Sequence, residues 1–151
     1  MGRLPMRLHG SAKQALVICF GTGQTARAVL DERPESLTLV DVNPAVFRLA
    51  RHFPSNQGVL EDPCVRHWVD DGRAWLRRSG PNYDVITLEP MPPFFAGSNA
   101  LYSVEFYTLA AARLNPGGCI AQWFPVHLLT PRQARSVAAA FLRVFPGAVL
   151  W

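Results

Sequence analysis

The stretch A-L-V-I-C-F-G-T-G-Q-T-A-R-A-V-L-D-E-R-P-E-S-L-T-L-V-D, from Ala15 to Asp41, decides the fold. Six apolar residues, Ala15 to Phe20, break at Gly21-Thr22-Gly23. A helical segment runs on to about Leu30, and a second apolar run, Leu37 to Val40, ends on Asp41. The order is strand, glycine turn, helix, strand, acid. Gly21 and Gly23 let the backbone turn sharply and approach a ligand with no Cβ in the way. The helix that follows starts with free N–H groups aimed at the same spot. An acid at the end of the next strand, about twenty residues on, is placed to accept hydrogen bonds from the two hydroxyls of a ribose. G-T-G-Q-T-A fits G-x-G-x-x-[GA], a short pattern that many loops match by chance; the strand before it and the acid after it point to a nucleoside site. The plainer reading is a tight turn in an ordinary α/β protein with Asp41 on its surface.

Beyond Asp41, strand and helix signals alternate. Asn43-Pro44 reads as a helix start, with Asn43 as N-cap and Pro44 where its missing N–H costs nothing. Val46, Phe47, Leu49, Ala50 and Phe53 give that helix its apolar face, and Ser55 to Asp62 reads as a polar loop. Val65 to Val69 is a short strand ending in Asp70-Asp71-Gly72, and a helix with Ala74, Trp75 and Leu76 stops at Ser79-Gly80-Pro81. Tyr83 to Leu88 is a strand ending in Glu89-Pro90. Helix capping explains one of these acids well. It does not explain why three successive strands all end in acids.

The loop from Pro90 to Tyr102 is rich in proline, glycine and aromatics and follows a parallel strand, where open α/β sheets bind ligands. Phe94 and Phe95 read there as a lid, or else as a local core. Ser103 caps a helix to about Leu114, Asn115-Pro116-Gly117-Gly118 turns into a strand from Cys119 to Phe124, and Thr130-Pro131-Arg132-Gln133 opens a helix with a capping box. Ala134, Val137, Ala138, Phe141, Leu142 and Phe145 share one face of it. Ala148 to Trp151 starts a sixth strand. Residues 1–14 show no periodicity and read as a leader or the remnant of a missing N-terminal region, before a single domain over 15–151.

Near-continuous apolar strands alternating with helices predict a doubly wound, mostly parallel sheet with helices on both faces. At 151 residues and 49% apolar, with 17% charged and no charge run, the chain is long and apolar enough for a real core. No apolar stretch reaches the length of a membrane span, because Arg143 and Pro146 interrupt the most apolar tail. The N-terminus lacks the apolar centre of a signal peptide, and the chain reads as soluble and cytoplasmic. Cys19, Cys64 and Cys119 are widely spaced and the histidines show no ligand spacing, which predicts free thiols and no metal. The net charge of +4 comes from scattered arginines and one lysine, without a basic stripe or interleaved aromatics, so no nucleic-acid partner is expected.

L-V-D-V-N-P-A-V, V-D-D-G-R-A-W-L, Y-D-V-I-T-L-E-P, L-Y-S-V-E-F-Y and L-N-P-G-G, in this order, resemble the spermidine/spermine synthase family. These polyamine aminopropyltransferases share the Rossmann-like fold of class I S-adenosylmethionine methyltransferases. The resemblance runs from about Ala15 to Trp151. It implies that Gly21, Thr22 and Gly23 shape the nucleoside pocket and that Asp41, with Val42 beside it, holds the ribose. It implies too that Asp71 with its neighbour Asp70 reads the adenine amino group, that Gly72 belongs to the cofactor-binding residues, and that Glu89 orients and deprotonates the attacking amine. The donor implied is decarboxylated S-adenosylmethionine and the acceptor a small amine such as putrescine.

Three positions depart from the family pattern. Thr22 stands where an aspartate contacts the donor's amine, giving G-T-G as in many methyltransferases. Pro92 stands for the second aspartate of the catalytic loop, and the first is the longer Glu89. The family's small N-terminal β-domain is missing. The fold also normally finishes with an antiparallel pair of strands, of which only the first begins at Ala148. The sheet would then leave one edge open to another chain, with a homodimer among the outcomes, or mark a fragment of a larger protein. Some relatives carry this domain behind membrane helices. Three functions follow: aminopropyl transfer with Glu89 as base; methyl transfer from intact S-adenosylmethionine, favoured by Thr22; and a non-catalytic nucleoside-binding module.

Overall fold

In the computed structural model, which describes residues 1–151, the first apolar run is β1 (Gln14–Ile18), the central strand of a five-stranded sheet. Its neighbours are β2 (Ser36–Asp41) and β4 (Tyr83–Leu88). The edges are β3 (Val65–Val69) and β5 (Leu114–Gln122), in the order β3-β2-β1-β4-β5, with every pair parallel. The three inner strands β1, β2 and β4 read as near-continuous apolar runs because both faces are covered, whereas edge strand β3 is exposed beyond Val65. Ala15 and Val17 point to one face, with Met6 of α1 (Arg3–His9), Ala26 and Val29 of α2 (Gln24–Leu30) and Phe47 of α3 (Pro44–Leu49). Leu16 and Ile18 point to the other. There they meet Leu76 of α4 (Gly72–Arg77), Phe106 and Tyr107 of α5 (Val104–Ala112) and Phe141 of α6 (Pro131–Val144).

The register positions the site. Ile18 pairs with Val40 on one side and Leu88 on the other, and Asp41 pairs with Val69. Cys19, Asp41 and Glu89, each one step beyond that row, therefore lie level along the carboxyl ends of three adjacent strands, with Asp70 one residue past the level of Asp41 on β3.

The structure departs from the sequence reading in five places, the first on α3, which ends at Leu49 and leaves Leu49 and Phe53 exposed rather than on its apolar face. Residues Arg3–His9 form a helix with Met6 buried, tied to α2 by ion pairs of Arg3 with Asp31 (3.0 Å) and Arg7 with Glu32 (2.9 Å). Two turns whose buried apolar residues, Pro5 and Met6, are adjacent in the chain are too short to show a period. Ala148 to Trp151 is not a strand, and Trp151 is 80% exposed. A strand needs a partner for its N–H and C=O groups, and none lies beside it. Asn115-Pro116-Gly117-Gly118 does not precede the fifth strand but bulges out within it, between the pairs Tyr83 with Leu114 and Val85 with Cys119. On α6 it is Val144, not Leu142, that packs on the core.

Asp84 ties the amino ends of the strands together. The Lys13 and Gln14 amides donate to its Oδ2 at 2.8 and 2.9 Å, and Asn115 Nδ2 donates to its Oδ1 at 2.7 Å. Burial opposes its ionisation, yet the bonds from Asn115, Gln14 and Lys13 outweigh burial and hold its carboxyl below the ordinary 3.8. Because the folded value is depressed, this stabilisation is full above the unfolded value and is lost as pH falls through the folded one. Asp84→Ala is expected to cost about 2 kcal/mol at pH 7. Urea titrations of variant and wild type should converge as the pH falls below the ordinary carboxylate range; a gap independent of pH would contradict this account.

Candidate functional site

The turn after β1 is a tight reversal in which Cys19 (φ 66°), Gly21 (φ 56°) and Gly23 (φ 85°) all take left-handed backbone. At Gly23 a Cβ would stand 2.7 Å from the Phe20 ring, so glycine is required twice over, by φ and by space. Asn56, only 2% exposed, holds the turn from below: its Nδ2 donates to Thr22 O at 3.0 Å and to Ala50 O at 2.8 Å.

Asp41 faces this turn. Its Oδ1 accepts from the Asn43 amide at 2.9 Å, and its Oδ2 accepts a long bond from the Gly21 amide at 3.4 Å. Two carboxylate oxygens offer about four acceptor sites, so capacity remains for hydroxyl donors. Val42 beside it is 70% exposed. The neighbouring acids of β3 divide. Asp70, with a side chain 14% exposed, accepts from the Asp71 amide at 2.9 Å, and its Oδ2 lies 2.9 Å from Arg78 in an ion pair not aligned as a hydrogen bond. Asp71 is exposed and caps α4, its Oδ1 accepting from the Ala74 amide at 2.9 Å and its other oxygen open. Gly72 is buried against Ile18, where a Cβ would stand 2.6 Å from the isoleucine methyl; its visible role is to seat α4 on β1.

On the other side of the glycine turn lies a cleft of about 530 Å³, lined among others by Met1, Gly2, Cys19, Thr22, Thr25 and Glu89. Glu89 is its one charged side chain; no lysine, arginine or histidine side chain lines it. Asp41, Asp70 and Asp71 lie outside this cleft, and Cys19 joins the two halves. Burial first, then the fields of Asp41, Asp71 and Glu89, push its thiol up to about 12, so three strand-end carboxylates surround one protonated thiol. Among His, Cys, Asp and Glu, no group of three is arranged to hold a metal ion.

Sequence reasoning missed Thr25, whose Oγ1 donates to Glu89 Oε1 across the cleft. The faint signal was a β-branched residue where alanine would favour the helix more. Asn56 carried no signal at all. Phe94 and Phe95 stack at 5.1 Å and stay 56% and 46% exposed, so they form no local core.

The model of the spermine/spermidine synthase domain matches residues 1–149. The chain belongs to that family. A polyamine aminopropyltransferase of Corynebacterium efficiens is 36% identical over 148 residues, 95% of this chain and 28% of the relative. Polyamine aminopropyltransferase 1 of Streptomyces coelicolor is 35% identical over 136 residues, 87% of this chain and 26% of the relative. A crystal structure of spermidine synthase in complex with the transition state analogue AdoDATO matches with a TM-score of 0.87 and 25% identity, over 96% of this chain and 50% of that one. This family member thus spans only part of the relatives it matches. None of its helices is long and apolar enough to cross a membrane.

Proposed function

We propose that this chain forms the donor-binding and base-bearing part of an aminopropyltransferase, using decarboxylated S-adenosylmethionine and a small amine such as putrescine. The observation that carries the reading is the charge of the cleft: one carboxylate, Glu89, and no cationic side chain. Arg27, the residue that could have met a donor carboxylate, is instead bound to Asp31 through its Nε at 2.8 Å. A donor bearing only an ammonium and a sulfonium is attracted by Glu89, Asp41 and Asp71. Intact S-adenosylmethionine would bring a carboxylate against Glu89 with no cationic side chain in the cleft to meet it.

In this reading Asp41 accepts the ribose hydroxyls, Val42 flanks the base, and the open oxygen of Asp71 meets the adenine amino group. Glu89 draws the acceptor ammonium in and takes its proton. The amine lone pair then forms a bond to the carbon beside sulfur as the carbon–sulfur bond breaks, and the donor leaves as a neutral thioether, methylthioadenosine. An alkylammonium titrates near about 10, so few acceptor molecules are nucleophilic at neutral pH without such a base. Positioning in a cleft poor in water supplies much of the remaining rate.

Calorimetric titration with the two donors side by side tests the assignment. Decarboxylated S-adenosylmethionine should bind at least about tenfold more tightly, the size of one unfavourable charge contact near a protein surface. Preference for the intact form would move the reading to methyl transfer, the function that Thr22 in G-T-G favours. Binding of neither by the folded chain would leave a non-catalytic domain.

A further inference from the structure

Thr25 is the second residue of α2, just past the glycine turn, where its amide is one of the free N–H groups of the helix start. A helical threonine usually turns its hydroxyl back to the carbonyl one turn earlier. Here it reaches instead to Glu89 Oε1, 64 residues away on the end of β4. Glu89 is exposed and its Oε2 has no hydrogen-bond partner. A glutamate so placed has three side-chain torsions to fix, and each wrong rotamer removes the carboxylate from the reacting nitrogen. The backbone of Thr25 is closely packed. The chain at Gly2 packs so closely that a Cβ there would stand 2.4 Å from Thr25 O.

From this geometry, and resting on the assignment of Glu89 as the base, we propose that Thr25 is a positioning residue for that base. Its hydroxyl takes one carboxylate oxygen and fixes the side-chain rotamer, which leaves the second oxygen to accept the proton of the acceptor amine. The β-branch serves the same end, since it limits Thr25 to few rotamers and so aims the hydroxyl. The glycine turn and the catalytic strand are thereby coupled through one hydrogen bond.

The test compares Thr25→Val, which keeps the shape and loses the hydroxyl, with Thr25→Ser, which keeps the hydroxyl. Release of methylthioadenosine from decarboxylated S-adenosylmethionine and putrescine is measured for both and for Glu89→Gln. Thr25→Val should lower kcat about tenfold, the size of one hydrogen bond to a charged acceptor, with KM for the donor within about twofold. Thr25→Ser should stay near wild type, and Thr25→Val should cost nothing further on top of Glu89→Gln, because the two act as one unit. Full activity of Thr25→Val beside a slow Glu89→Gln overturns this inference alone; full activity of Glu89→Gln overturns the base assignment beneath it. Crystal structures read the same point without turnover. Glu89 should hold a single rotamer on Thr25 in the wild-type chain and spread over several in Thr25→Val, and an unchanged rotamer in the variant overturns the inference.

Discussion

Glu89→Gln is expected to lower turnover at least about a hundredfold at neutral pH, with the chain still folded and the nucleoside still bound. General-base catalysis is worth about 10²- to 10⁴-fold, and glutamine can neither attract the acceptor ammonium nor take its proton. Glutamine keeps an oxygen that can accept from the Thr25 hydroxyl, so the local frame survives while the charge is lost. The side chain is exposed at the strand end, and the substitution leaves no cavity. A second expectation separates a lost base from a damaged site. The free-base fraction of an alkylamine rises about tenfold per pH unit below its own titration near about 10, so the variant should recover steadily towards alkaline pH, more steeply than wild type. Methylthioadenosine release measured from pH 6 to 10 reads both effects. Wild-type turnover in the variant at pH 7 would remove Glu89 from the mechanism.

The parts of this structure that were legible in the sequence are those in which the deciding interaction is local. Asn43, Ser103 and Thr130 cap the helices they precede because each side chain bonds an amide two or three residues on. The inner strands were legible because a sheet covered on both faces demands near-continuous apolar runs, and their parallel arrangement followed from the alternation with helices. The parts that were not legible depend on distant partners. Helix α1 exists through contacts with α2 and the sheet rather than through its own pattern. Ala148 to Trp151 has strand-forming residues and no strand beside it. In the site, Asp70 and Asp71 look alike as neighbours in the chain, and the fold gives them opposite fates, because one turns to Arg78 and the other to the start of α4. The link from Thr25 to Glu89 joins residues whose proximity only the β1 to β4 pairing creates.

Asp41→Ala is expected to weaken binding of methylthioadenosine about a hundredfold, the equivalent of two hydroxyl bonds to a carboxylate at the lower end of their range. Alanine also releases the Asn43 and Gly21 amides, which Asp41 now holds, so part of the loss would come from a loosened turn. Asp41→Asn separates the two contributions. Its side-chain oxygen can still accept from Asn43, whereas its amide group offers donors where ribose hydroxyls need an acceptor, so a loss of about tenfold should remain. The three strand-end acids should then rank by what the fold leaves free. Asp41 has spare acceptor capacity and faces the glycine turn; Asp71 has one open oxygen, since its other caps α4. Asp70 is committed to Arg78 and to the Asp71 amide, and Asp70→Asn should change nucleoside affinity least while lowering stability. Calorimetry on the three asparagine variants measures that order directly. Unchanged affinity in folded Asp41→Ala would take the ribose away from β2, and a loss at Asp70 equal to that at Asp41 would mean that the nucleoside reads β3 by its field rather than by the oxygens it presents.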